Sequence, residues 1–147
     1  MIEAYHQTGG NLVAIEEVPQ EDTCHYGVLD PDKSFSDDKL VRIQGLVEKP
    51  APQDAPSNLA IIGRYVFDPA IMQQLDNPTI GAGGEIQITD AMADLIGKIP
   101  LHGYRFRGTR YDCGNKAGFL AANIAYAMED STMAAQIYAT IETLRQK

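Results

Sequence analysis

The chain has 147 residues, enough for one domain with an ordinary core, and its 44% hydrophobic and 22% charged content excludes a disordered polymer. A net charge of −8, from 20 acidic and 12 basic side chains with no Lys/Arg cluster, argues against nucleic acid as a partner. No apolar run approaches the ~20 residues that span a bilayer, and Met1–His6 has neither the basic nor the apolar region of a signal peptide. The expectation is a cytoplasmic protein with no membrane partner.

Residues 1–9 read as the last turns of a helix ending at Gly9-Gly10, since glycine accepts a left-handed C-cap. Asn11–Val18 has the length and apolar run of a buried strand. His25–Leu29 reads as a second strand, closed by Asp30-Pro31-Asp32, and Lys39–Glu48 as a third. Leu59–Phe67, rich in β-branched and aromatic residues, predicts a central strand. Pro69 then opens a short helix to Leu75, at the position where a missing N–H does no harm.

A loop at Asn77–Gly84 precedes a helix over Thr89–Ile99, with Met92, Leu95, Ile96 and Ile99 on one face and Thr89 or Asp90 as N-cap. Leu101–Phe106 and Arg110–Cys113 read as short strands. Two helices follow, Lys116–Met128 and Met133–Leu144, the second capped by Ser131 or Thr132. The order predicts an α/β domain with a mixed sheet flanked by helices. Cys24 and Cys113 read as reduced, buried thiols. His6, His25 and His102 read as structural or surface residues.

Three segments carry candidate chemistry. Val47-Glu48-Lys49-Pro50 ends a strand where open α/β sheets bind ligands. Lys49 can present a rotatable cation to a phosphate and Glu48 can accept hydrogen bonds from hydroxyls. The same pair could be a solvated surface ion pair. Gly81-Ala82-Gly83-Gly84-Glu85 permits close backbone approach to a ligand ahead of a helix, or is simply a loop before a cap. Asp112 lies before a glycine turn and a helix, a place for a metal-binding carboxylate or a turn cap, with Lys116 in reach of a phosphate.

In order, Tyr26-Gly27-Val28, Val47-Glu48-Lys49-Pro50, Ser57–Tyr65, Gly81–Ala91 and Arg110–Lys116 resemble the bacterial UTP–glucose-1-phosphate uridylyltransferases, within the sugar-nucleotide pyrophosphorylases. The likeness runs from Met1 to about Met128. It implies the C-terminal part of a Rossmann-like nucleotidyltransferase fold that makes UDP-glucose and pyrophosphate from UTP and glucose 1-phosphate with Mg²⁺. By this resemblance Lys49 holds the sugar phosphate and is the catalytic candidate, and Glu48 holds glucose hydroxyls. The Gly27 backbone meets the sugar ring, Glu85 is a weaker sugar contact, Asp112 is a metal carboxylate and Lys116 a phosphate contact.

The chain departs from that pattern at its front. The family's Gly-x-Gly-Thr-Arg stretch, which cradles the UTP phosphates, has no counterpart, because Gly108-Thr109-Arg110 lacks the preceding glycine and the following proline. A first metal-binding Asp is also missing. Residues 1–147 therefore read as a single truncated domain without its N-terminal nucleotide-binding βα units, inactive alone, with open strand edges that promote self-association. Helices in 115–147, with Ile124, Met128, Ile137 and Ile141, offer a contact for a homo-oligomer. The alternative is a non-catalytic sugar-phosphate-binding or dimerisation module.

Overall fold

Leu12, Val13, Ala14 and Ile15 follow one another without a polar residue, so a strand built from them must be covered on both faces. The computed structural model describes residues 1–35, 37–76 and 84–146 and realises this as β1 (Asn11–Glu17), where all four are buried. The preceding helix α1 (Ile2–Thr8) stops at Gly9, whose φ of 66° is the left-handed cap expected, with its N–H donating to the Tyr5 carbonyl. Then come β2 (Gly27–Pro31), β3 (Leu40–Glu48), β4 (Leu59–Val66), α2 (Ala70–Asp76), α3 (Ile88–Ala93) and β5 (Leu101–Arg105). The chain ends in α4 (Lys116–Ala127) and α5 (Ser131–Arg145).

The sheet is mixed, as expected. β1 pairs antiparallel with β4 on one side and parallel with β5 on the other. β2 pairs with β3 and, through the single pair Val28↔Ala60, with β4, while β3 pairs with β5. The order β1-β4-β2-β3-β5 thus closes on itself as a barrel. The expectation of an open edge is overturned: β5 takes the free side of β1 and β3 covers β5, so ring closure removes the edges. Val13, Ile15, Leu29, Ile43, Leu59 and Ile61 fill the core with Met92 and Leu95 from α3 and the turn after it. Each such side chain, fully buried, is worth ~1.5–3 kcal/mol.

Local details differ where side chains compete for backbone. The predicted helix over Thr89–Ile99 is α-helical only to Ala93 and continues as turns to Lys98, yet Met92, Leu95, Ile96 and Ile99 still face the core. Its N-cap is Gln87, not Thr89 or Asp90, because Thr89 lies inside the helix with its hydroxyl bonded elsewhere. Asp130 rather than Ser131 or Thr132 caps α5, accepting from the N–H groups of Thr132 and Met133 at 2.8 and 2.9 Å. Residues 110–113 form turn and coil, not a strand, because Asp112 binds the Gly114 N–H at 2.9 Å. Cys24 is half-buried and Cys113 exposed in that turn, so neither is a core thiol. Most of the glycine loop, residues 77–83, lies outside the described residues.

The chain divides into two compact units, Met1–Phe106, which holds the barrel, and Arg107–Lys147, which holds α4 and α5.

His102, on β5, is buried with no partner at Nδ1 among the described residues. Burial, and then the Arg42 charge, lower its pKa below 6.5. The unfolded chain therefore binds a proton more readily than the folded one. The resulting stabilisation is fully present above the unfolded pKa and is lost as pH falls through the folded value. Urea midpoints should fall between pH 7.5 and 5.5, and His102→Phe should flatten that slope. An unchanged slope in the variant would show that other groups set it.

Candidate active site

β3 ends at Glu48 because Lys49 turns out of the ladder and Pro50 cannot donate to it. Opposite Glu48 in register is Gly27, the first residue of β2. The Lys49 N–H donates to the Tyr26 carbonyl at 2.9 Å, which locks the two chain ends together. Lys49 takes up φ 46°, the one non-glycine residue in the left-handed region among those described.

Glu48 is mostly buried, its side chain 11% exposed, and a carboxylate so placed needs hydrogen bonds. Thr89, buried on α3, supplies one, its Oγ1 donating to Glu48 Oε2 at 2.7 Å. Lys49 Nζ stands 3.9 Å from Glu48 Oε1 and is half-exposed. That pair is loose, and the ammonium has no hydrogen bond among the described residues, so its donors remain open to an incoming anion. A Cβ at residue 27 would lie 3.0 Å from Glu48 Oε2 and 3.1 Å from Thr89 Oγ1. Glycine there gives both side chains the room to meet. Tyr65, stacked on Phe67 with ring centroids 5.1 Å apart, is close enough to feel Glu48. Burial first and the Glu48 charge second raise its phenol pKa, so it stays a neutral hydrogen-bond donor.

The structure thus gathers Gly27, Glu48 and Lys49 and adds Thr89 and Tyr65, which sequence reasoning did not assign to the site. The signal for Thr89 was its place in Ile86-Gln87-Ile88-Thr89-Asp90, where a helix-cap reading hid it. Glu85 is exposed, its Oε2 accepting from Gln87 Nε2 at 3.4 Å. Asp112 and Lys116 belong to the second unit and both are exposed. There Asp112 Oδ1 accepts from the Gly114 N–H and Oδ2 from Asn115 Nδ2 at 3.2 Å, while Asn115 caps α4 through the Gly118 N–H. Each carboxylate oxygen keeps a lone pair for a cation. Among the described residues no three His, Cys, Asp or Glu side chains converge on one metal position, so Asp112 fits as a single ligand and no more.

Residues 1–129 match the family model described as nucleotidyl transferase. The chain belongs to that family. The UTP–glucose-1-phosphate uridylyltransferase of Komagataeibacter xylinus is 53% identical over 116 residues, 79% of this chain and 40% of that protein. The protein of the same name from Bacillus subtilis (strain 168) is 40% identical over 147 residues, all of this chain and 50% of that one. Among solved structures, a UDP-glucose pyrophosphorylase complexed with UDP-glucose aligns with a TM-score of 0.81 and 39% identity, covering 87% of this chain and 48% of that one. The UTP-bound enzyme from Acinetobacter baumannii gives 0.81 and 36%, over 96% and 48%. The chain spans about half the length of the relatives it matches. The mixed α/β architecture agrees with those family structures.

Thr89→Val should leave the Glu48 carboxylate short of a buried hydrogen bond and lower stability by about 1–3 kcal/mol. Thr89→Ser should keep most of it. Denaturant midpoints of the two variants check this; equal midpoints would mean the hydroxyl does not hold Glu48.

Proposed function

We propose that this chain is the sugar-phosphate half of an enzyme that transfers UMP from UTP to glucose 1-phosphate, releasing pyrophosphate. The observation that carries the reading is the set Gly27, Glu48, Lys49 and Thr89, in which a fixed acceptor, an open cation and a gap beside them meet at one strand end. Family membership and the activity for which the relatives are named support it.

In this reading the sugar hydroxyls donate to Glu48, already oriented by Thr89, and the ring approaches the backbone at Gly27. Lys49 meets the phosphate of glucose 1-phosphate and holds its oxygen in line with the α-phosphorus of UTP. The new P–O bond forms as the bond to pyrophosphate breaks, and positioning with charge neutralisation supplies most of the acceleration. Lys116 is assigned a phosphate contact and Glu85 an outer sugar contact. Asp112 is assigned as one carboxylate toward Mg²⁺, which when bound would neutralise phosphate charge.

Turnover is assigned to the chain together with the half of the relatives that it does not cover. The exposed side chains Phe119, Leu120, Tyr126, Met133, Tyr138 and Leu144 on α4 and α5 support self-association through these helices. No described helix is long and apolar enough to cross a membrane, and the family's nucleotide substrates favour the cytoplasm.

The test measures UDP-glucose formation from UTP, glucose 1-phosphate and Mg²⁺, with this chain alone and joined to the N-terminal half of the Bacillus subtilis relative. Activity is expected only in the joined protein, and Lys49→Ala should reduce it about 100-fold or more, the loss of a charge contact to the phosphate in the transition state. Full activity in the Lys49→Ala protein would remove Lys49 from the site. A second reading, binding without catalysis, rests on all four site residues lying within Met1–Phe106. It requires calorimetric glucose 1-phosphate binding by the chain alone, without UTP or Mg²⁺, lost in Lys49→Ala.

A further inference from the structure

At the end of β3 opposite Glu48, a cleft of about 440 Å³ opens where the end of α1, the turn after α3 and the starts of β3 and β5 converge. Its volume is that of a small-molecule site, in the range of about 300–1,000 Å³. Arg42 and Glu48 are separated by ~20 Å along β3, at ~3.3 Å per residue, so the cleft is distinct from the site proposed for glucose 1-phosphate.

Thr8, Arg42, Lys98 and His102 supply its polar wall and Ile96 and Ile99 are among its apolar lining. No acidic side chain lies among the described lining residues, in a chain with a net charge of −8. Two cations concentrated in one cleft of an acidic protein set up a local field opposite to that of the surface.

The polar groups are also unsaturated. Lys98 has no ion pair among the described residues. The Arg42 guanidinium lies 4.9 Å from the Phe35 ring centroid and 3.9 Å from Asp32 Oδ2, too far for a hydrogen bond. Arg42 is more than half exposed, so that ion pair is weak and its donors remain open. His102, the cross-strand partner of Arg42, is 95% buried, with an unpartnered Nδ1. That nitrogen is sealed from solvent, so the groups open to a ligand in the cleft are the Arg42 guanidinium and the Lys98 ammonium.

We propose that this cleft binds a small organic anion, a phosphate or carboxylate group facing Arg42 and Lys98 and an apolar body against Ile96 and Ile99. Asp32 is then a competitor for Arg42, not a ligand contact.

Calorimetric titration of the chain with phenyl phosphate, using phenol as the uncharged control, tests this. Phenyl phosphate is expected to bind about tenfold or more tighter than phenol, the worth of one charge-assisted hydrogen bond. Arg42→Gln and Lys98→Gln should each weaken it several-fold, Asp32→Asn should tighten it, and Lys49→Ala should leave the Arg42-dependent binding unchanged. Equal affinity for phenol and phenyl phosphate would overturn the proposal. So would binding that survives Arg42→Gln and disappears in Lys49→Ala, since the anion would then occupy the other site. The Lys49→Ala result separates failure here from failure of the sugar-phosphate reading.

Discussion

A strand that is apolar on both faces cannot lie at the surface, and β1 imposes that condition on everything around it. Its hydrogen-bonding edges must be covered as well, by β4 on one side and β5 on the other. A parallel neighbour needs a long connection, which here runs through β2, β3, β4, α2 and α3 before the chain returns as β5. Once β5 is placed, it fixes β3 through the pairs Leu40↔Tyr104, Val41↔Gly103 and Arg42↔His102. The far end of β3, where Glu48 and Lys49 emerge, is therefore positioned by a strand that contributes none of its own side chains to the site.

Asn11 shows how closely the pieces interlock. Its Oδ1 accepts the Asp68 N–H at 2.7 Å, so the first residue of β1 also fastens the exit from β4 toward α2. The same interlocking holds Glu48 in place. Its carboxylate is anchored from a helix by Thr89, while the loose approach of Lys49 leaves the ammonium adjustable. One fixed acceptor beside one mobile cation suits a ligand whose hydroxyls have definite directions and whose phosphate charge is diffuse.

Strand and helix positions were legible in the sequence wherever apolar periodicity was strong, as in Asn11–Glu17, Leu59–Val66 and the two last helices. The motif Val47-Glu48-Lys49-Pro50 pointed to the strand end that the structure places beside Gly27. What stayed hidden was long-range. Closure of the sheet depends on which strand takes the second edge of β1, and periodicity says nothing about partners. Thr89 looked like a cap because threonine serves both as a cap and as a hydrogen-bond donor, and only its distance from Glu48 separates the two roles. The apparent strand at 110–113 failed because Asp112 offered the backbone a local alternative.

The left-handed backbone at Lys49 sets stability and chemistry against each other at one position. A lysine there costs on the order of 1 kcal/mol relative to a residue at ease with positive φ. Selection for a durable fold alone would favour glycine or asparagine at this turn. A lysine at this turn is a point of tension, because a change toward a sturdier backbone would remove the ammonium that stands beside Glu48.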